Sequence, residues 1–151
     1  MKKFENVDDI LDFAINEEQM AVDFYSELSD AAKTDDMRQV FMEFAEEEIK
    51  HKQRLLKIKE EGFYKLEKEQ ITDLKIADFV VNVKPTPGMT YEDALILAMK
   101  KEKAAFKLYS ALADRAPNAQ LKDVFIGLAQ EESKHKLRFE IEYDEFVLRE
   151  N

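Results

Sequence analysis

Two histidines, His51 and His135, stand in the chain, and each follows a glutamate by three residues, in Glu48-Ile49-Lys50-His51 and Glu132-Ser133-Lys134-His135. Three residues turn a helix by about 300°, so the two side chains of each pair leave one face a turn apart. A carboxylate and an imidazole so placed can reach one ion. A further glutamate precedes each pair by the same interval, Glu18 before Glu48 and Glu102 before Glu132. Four carboxylates and two imidazoles without a thiolate form a mixed oxygen and nitrogen donor set. That set suits iron or manganese better than calcium or a structural zinc site.

Taken singly, each of these residues has a plainer reading. A glutamate on a helix is ordinarily solvated, and one Glu-x-x-His is common by chance. Here both histidines of the chain occur in the same motif, 84 positions apart, each with its upstream glutamate in register. The apolar phase agrees. Glu18 is three and four residues from Ile15 and Ala14, and Glu48 is three and four from Ala45 and Phe44. Carboxylates on that stripe are costly to bury unless cations or protons accompany them. Ala21 and Ala105, one turn after Glu18 and Glu102, keep the space beside each glutamate open. Tyr25 and Tyr109, seven residues after those glutamates, either pack as core aromatics or hydrogen-bond the site carboxylates. Glu17, Glu47 and Glu131 rotate about 100° away and read as surface charges. Because Glu47 and Glu131 repeat, a role in supporting the site stays open for them.

The repeat extends well beyond the motif. Residues 14–54 align on 98–138 without a gap, with 17 identities in 41 positions. The chain is therefore a helical hairpin written twice, and this predicts an all-α four-helix bundle. Spacings of three and four predict a first helix over 7–32 and a second over 35–60, with Thr34 as its N-cap and Gly62 beyond its end. The second half repeats the pattern, with Thr90 capping a helix over 91–115 and Pro117 and Asn118 at the corner before a helix over 118–148. The two hairpins thus span about 7–60 and 90–148 of one domain, 1–151. The crossover, 62–89, holds "ITDLKIADFVV", a candidate short helix, and strand formation over 78–84 is left open. A bundle with one long crossover has ferritin-like topology.

Composition narrows the function classes. Only 3 Gly and 3 Pro leave little room for the turns of a sandwich or barrel. A net charge of -10 repels nucleic acid. The absence of cysteine removes disulfides, iron–sulfur clusters and thiol nucleophiles. No run approaches the length of a membrane span and no secretory signal is evident, so a cytoplasmic location is expected.

Glu…Glu-x-x-His given twice on four helices resembles the rubrerythrin and ferritin-like di-iron carboxylate family, over about 7–60 and 90–148. The resemblance implies two iron ions, with manganese or a mixed pair as variants. Glu48 and Glu132 would bridge them, Glu18 and Glu102 would be terminal ligands, and His51 and His135 would each cap one. It implies an oxidoreductase that reduces hydrogen peroxide or dioxygen in oxidative-stress defence, and a homodimer. Rubrerythrins usually carry a rubredoxin domain whose iron is held by four cysteines. With no cysteine in this chain, the electrons must come from an external donor such as a rubredoxin-type protein. Typical rubrerythrins also place an extra glutamate where this chain has Ala105, so the resemblance is to a symmetric six-ligand site. Iron storage with ferroxidase activity, and a bundle that holds metal only structurally, are the competing expectations.

Overall fold

Four helices are present in the computed structural model, which describes residues 7–61, 84–86, 88–116 and 118–150. They are α1 (Val7–Ala31), α2 (Asp35–Glu61), α3 (Tyr91–Asp114) and α4 (Ala119–Glu150). Each lies within two residues of its expected bounds. Gly62, Pro117, the candidate short helix in 71–81 and residues 78–83 of the open strand segment lie outside the described residues.

Local chemistry sets the helix starts. Thr34 Oγ1 accepts from the Met37 amide at 3.2 Å, and Thr90 Oγ1 from the Asp93 amide at 3.0 Å. Asn118 does the same for α4, its Oδ1 accepting from the Leu121 amide at 2.8 Å. Each cap satisfies an amide that the first turn would leave unpaired. Acidic residues at the starts of α1, α2 and α3 face the positive helix ends.

The pairing of side chains gives the directions of the helices. Lys52 reaches Gln19 and Lys59 reaches Asp12, so α1 and α2 are antiparallel. Tyr25 meets Glu102 and Tyr109 meets Glu18, so α1 and α3 are antiparallel too. Glu43 with Arg138 and Arg54 with Glu131 make the same statement for α2 and α4. It follows that α2 and α3 run the same way. The chain between Glu61 and Tyr91 therefore joins opposite ends of a bundle about 40 Å long, at 1.5 Å per residue of α2.

Two apolar clusters fill the interior. One, at what we call the lower end, is rich in leucine and isoleucine, including Leu11, Leu55, Leu112, Leu121 and Leu128. The other, at the upper end, is rich in aromatics, including Phe24, Tyr25, Phe41, Phe44 and Phe139. Between them lies a layer of buried charge. No described helix is long and apolar enough to cross a membrane.

Candidate metal centre

Glu18 comes from α1, Glu48 and His51 from α2, Glu102 from α3, and Glu132 and His135 from α4. All six residues are buried, each exposed by 6% or less. The 3.6-residue period that puts Leu11, Ala14, Tyr25 and Leu28 inside also turns Glu18 inside, and the repeat does this four times.

Among the described residues, two four-residue groups could each hold a metal ion. They are Glu18, Glu48, His51 and Glu132, and Glu48, Glu102, Glu132 and His135, with ligand atoms in each within 4.8 Å of one another. Glu48 and Glu132 belong to both groups, while Glu18 and Glu102 belong to one each. His51 Nδ1 lies 2.7 Å from Glu132 Oε1, 3.5 Å from Glu48 Oε2 and 3.7 Å from Glu18 Oε2. His135 Nδ1 lies 3.2 Å from Glu48 Oε1 and 3.7 Å from Glu102 Oε2. The imidazole rings are nearly parallel, 8° apart, with centroids at 5.7 Å.

These atoms are close without being hydrogen-bonded. Glu18 Oε2, Glu48 Oε1, Glu102 Oε2, Glu132 Oε1, His51 Nδ1 and His135 Nδ1 are all buried and make no hydrogen bond. Buried polar atoms are normally satisfied. Here they lie close enough together for a shared cation to satisfy them.

The titration behaviour has the same cause. Burial, then the Glu48 charge, pushes the Glu18 carboxyl well up. Burial, then the charges of Glu102 and Glu48, does so for Glu132. Burial alone would also raise Glu48, but the close Glu18 carboxyl and the His135 and His51 imidazoles outweigh it and hold Glu48 ionised. Burial would lower the histidines, yet Glu18 and Glu48 raise His51 to about 11, and Glu102 and Glu48 raise His135 to about 9. Without metal, the cluster balances its carboxylates with protons.

The tyrosines both pack and hydrogen-bond. Tyr25 donates to Glu102 Oε1 and Tyr109 to Glu18 Oε1, so each serves the glutamate of the other half. Burial, then that carboxylate's charge, raises both phenols well above their ordinary value. Ala21 and Ala105, with Ala104, bound a cavity of about 20 Å³ against Glu18, Glu48, Glu102 and Glu132. That is roughly the room of a single water.

Glu131 departs from the surface reading. Its Oε2 lies 2.7 Å from His51 Nε2, off the line of a hydrogen bond, and Arg54 holds the same carboxylate at 3.4 Å. Its repetition as Glu47 was the signal for such a role. Glu47 itself pairs with Lys50 at 3.7 Å.

In comparisons with known proteins, the Rubrerythrin family model matches residues 9–92 and 93–151. No curated protein and no solved structure matches the chain.

Proposed function

The chain belongs to the rubrerythrin family, and from that premise we propose that it is a di-iron oxidoreductase that reduces hydrogen peroxide or dioxygen with electrons from an external donor. The observation that carries the reading is the convergence of buried, unbonded ligand atoms into two groups that share Glu48 and Glu132. In this reading Glu18, Glu48, His51 and Glu132 would hold one ion, and Glu48, Glu102, Glu132 and His135 would hold the other. When bound, an iron pair supplies two electrons at one place to a small oxidant.

The residues do the rest. Tyr109 and Tyr25 each engage one oxygen of Glu18 and Glu102, leaving Oε2 of both for a cation. Leucine and phenylalanine on either side exclude bulk water, which strengthens every charge interaction within the layer. The cavity beside Ala21 and Ala105, with roughly the room of one water, excludes all but the smallest molecules from the carboxylates. Oxygen and imidazole donors accept manganese as well, so the identity of the metal belongs to the test.

Metal analysis after anaerobic loading with ferrous iron should give close to two ions per chain, and adding peroxide should give a rapid charge-transfer band. Glu48→Ala should lose bound metal and the band, since that side chain belongs to both groups. Unchanged stoichiometry in this variant would show that the assignment is wrong. Iron taken up far beyond two per chain, in a closed shell of subunits, would favour storage instead.

A further inference from the structure

Residues 84 apart hold equivalent places in the two hairpins, so the two halves of the charge layer can be compared residue by residue. Much of the layer is symmetric. Glu48 and Glu132 enter both ligand groups, and Glu18 and Glu102 each accept from one tyrosine of the opposite half. The surroundings of the histidines differ. Behind His51, Glu131 Oε2 stands 2.7 Å from Nε2. The equivalent glutamate, Glu47, turns to Lys50 instead, and the carboxylates that reach His135, Glu48 and Glu102, do so at Nδ1. At the side of His135 lies the Phe44 ring, perpendicular to it with centroids 5.0 Å apart, and this brings no charge.

Two breaks in the repeat account for the difference. Arg54 and Arg138 are equivalent, and each pairs between α2 and α4. Arg138 meets Glu43 at 3.3 Å and lies over the Phe44 ring, 4.7 Å from its centroid. The equivalents of Glu43 and Phe44 are Gly127 and Leu128, which offer Arg54 neither a carboxylate nor an aromatic face. Arg54 therefore pairs with Glu131, at 3.4 Å, and holds it against His51. A third difference has the same sign. Glu17, next to Glu18, has Lys101 as its equivalent next to Glu102, and both border the small cavity of the layer. The His135 side chain is also the more open, 8% exposed against 1% for His51.

We infer that the two positions of the metal centre are unequal and fill in order. Glu18, Glu48, His51 and Glu132 take the first ion, and Glu48, Glu102, Glu132 and His135 take a second that is held less tightly and exchanges. This rests on the two-ion reading above. A carboxylate behind a ligand imidazole holds the ring and raises its basicity, and losing one ordinarily costs about 10–100-fold in metal affinity. Glu131 is thus a positioning residue that acts through His51, and Arg54 acts through Glu131. The negative charge of Glu17 at one end and the positive charge of Lys101 at the other widen the gap, since a divalent ion responds to both.

The chain has two histidines, so histidine labelled with nitrogen-15 reports two imidazoles and no others by magnetic resonance. His135→Gln assigns them. Zinc is the probe, because it is diamagnetic and binds both imidazole and carboxylate. During the first equivalent the His51 resonances should move to their final place, and those of His135 should follow during the second. Glu131→Gln keeps the shape and removes the charge. In that variant the first ion should bind roughly tenfold more weakly by calorimetry, and the gap between the two rings' responses should narrow. Glu47→Gln should leave the order and both affinities unchanged. His135 responding first, an undiminished gap in Glu131→Gln, or an equal effect of Glu47→Gln overturns the inference. Neither ring responding at two equivalents would defeat the two-ion reading and the order with it. Both rings responding together, with two ions bound, defeats the order alone.

Discussion

Glu18 and Glu102 each divide their oxygens between a tyrosine of the opposite half and the buried charge layer. This division orients a carboxylate that would otherwise rotate about its terminal bond. Glu131, itself held by Arg54, sets its carboxylate against the outer nitrogen of His51. A carboxylate on the outer nitrogen of a ligand histidine fixes the ring and raises its basicity. Glu131→Ala should therefore weaken metal binding by about 10–100-fold with the helices intact. Competition with a chelator of known affinity would measure it, and a wild-type affinity would refute the role. Glu47→Ala is the internal control, because Glu47 pairs with Lys50 instead.

At the level of the helix, the caps hold the register on which the site depends. If α4 slipped by one residue, Glu132 and His135 would rotate about 100° out of the layer. Thr90 and Asn118 satisfy first-turn amides of α3 and α4, so Thr90→Ala and Asn118→Ala should each cost about 1 kcal/mol. Denaturant midpoints would report the loss, while metal stoichiometry should stay unchanged. A variant that loses metal but no stability would mean that the cap acts on the site and not on the helix. Caps were partly legible beforehand. Thr34 and Thr90 stand directly before apolar periodicity, whereas Asn118 follows a proline at a corner and could be read only as a turn residue.

For the whole molecule, the charge layer makes folding, metal and protons compete. In the metal-free chain, the protonated histidines contribute stability that is fully present below about 6.5. It is lost as pH rises through about 9 for His135 and about 11 for His51. Glu18 and Glu132, raised by burial, resist ionisation in the fold, so their contribution falls as pH rises above the ordinary carboxylate value. The metal-free melting temperature should fall between pH 7 and 10, and that of the loaded protein should change much less. Loading near pH 7 should release protons from His51 and His135, which calorimetry in buffers of different ionisation enthalpy would detect. Binding without proton release would contradict this account.

By itself, the sequence determined four helices, their bounds to within two residues, and the face that six ionisable side chains share, because both follow from a 3.6-residue period written twice. It also favoured the long crossover topology, since a helical hairpin repeated with a long gap has few other ways to close. What it left undecided is which half serves which. Tyr25 bonds Glu102 rather than the glutamate of its own helix, Glu131 meets His51 of the other hairpin, and Glu48 and Glu132 enter both groups. Those pairings depend on how two hairpins dock, with about 80 residues between the partners. Local periodicity carries no information across such a separation. Only the packed tertiary structure, in which two apolar clusters clamp the layer from both sides, decides them.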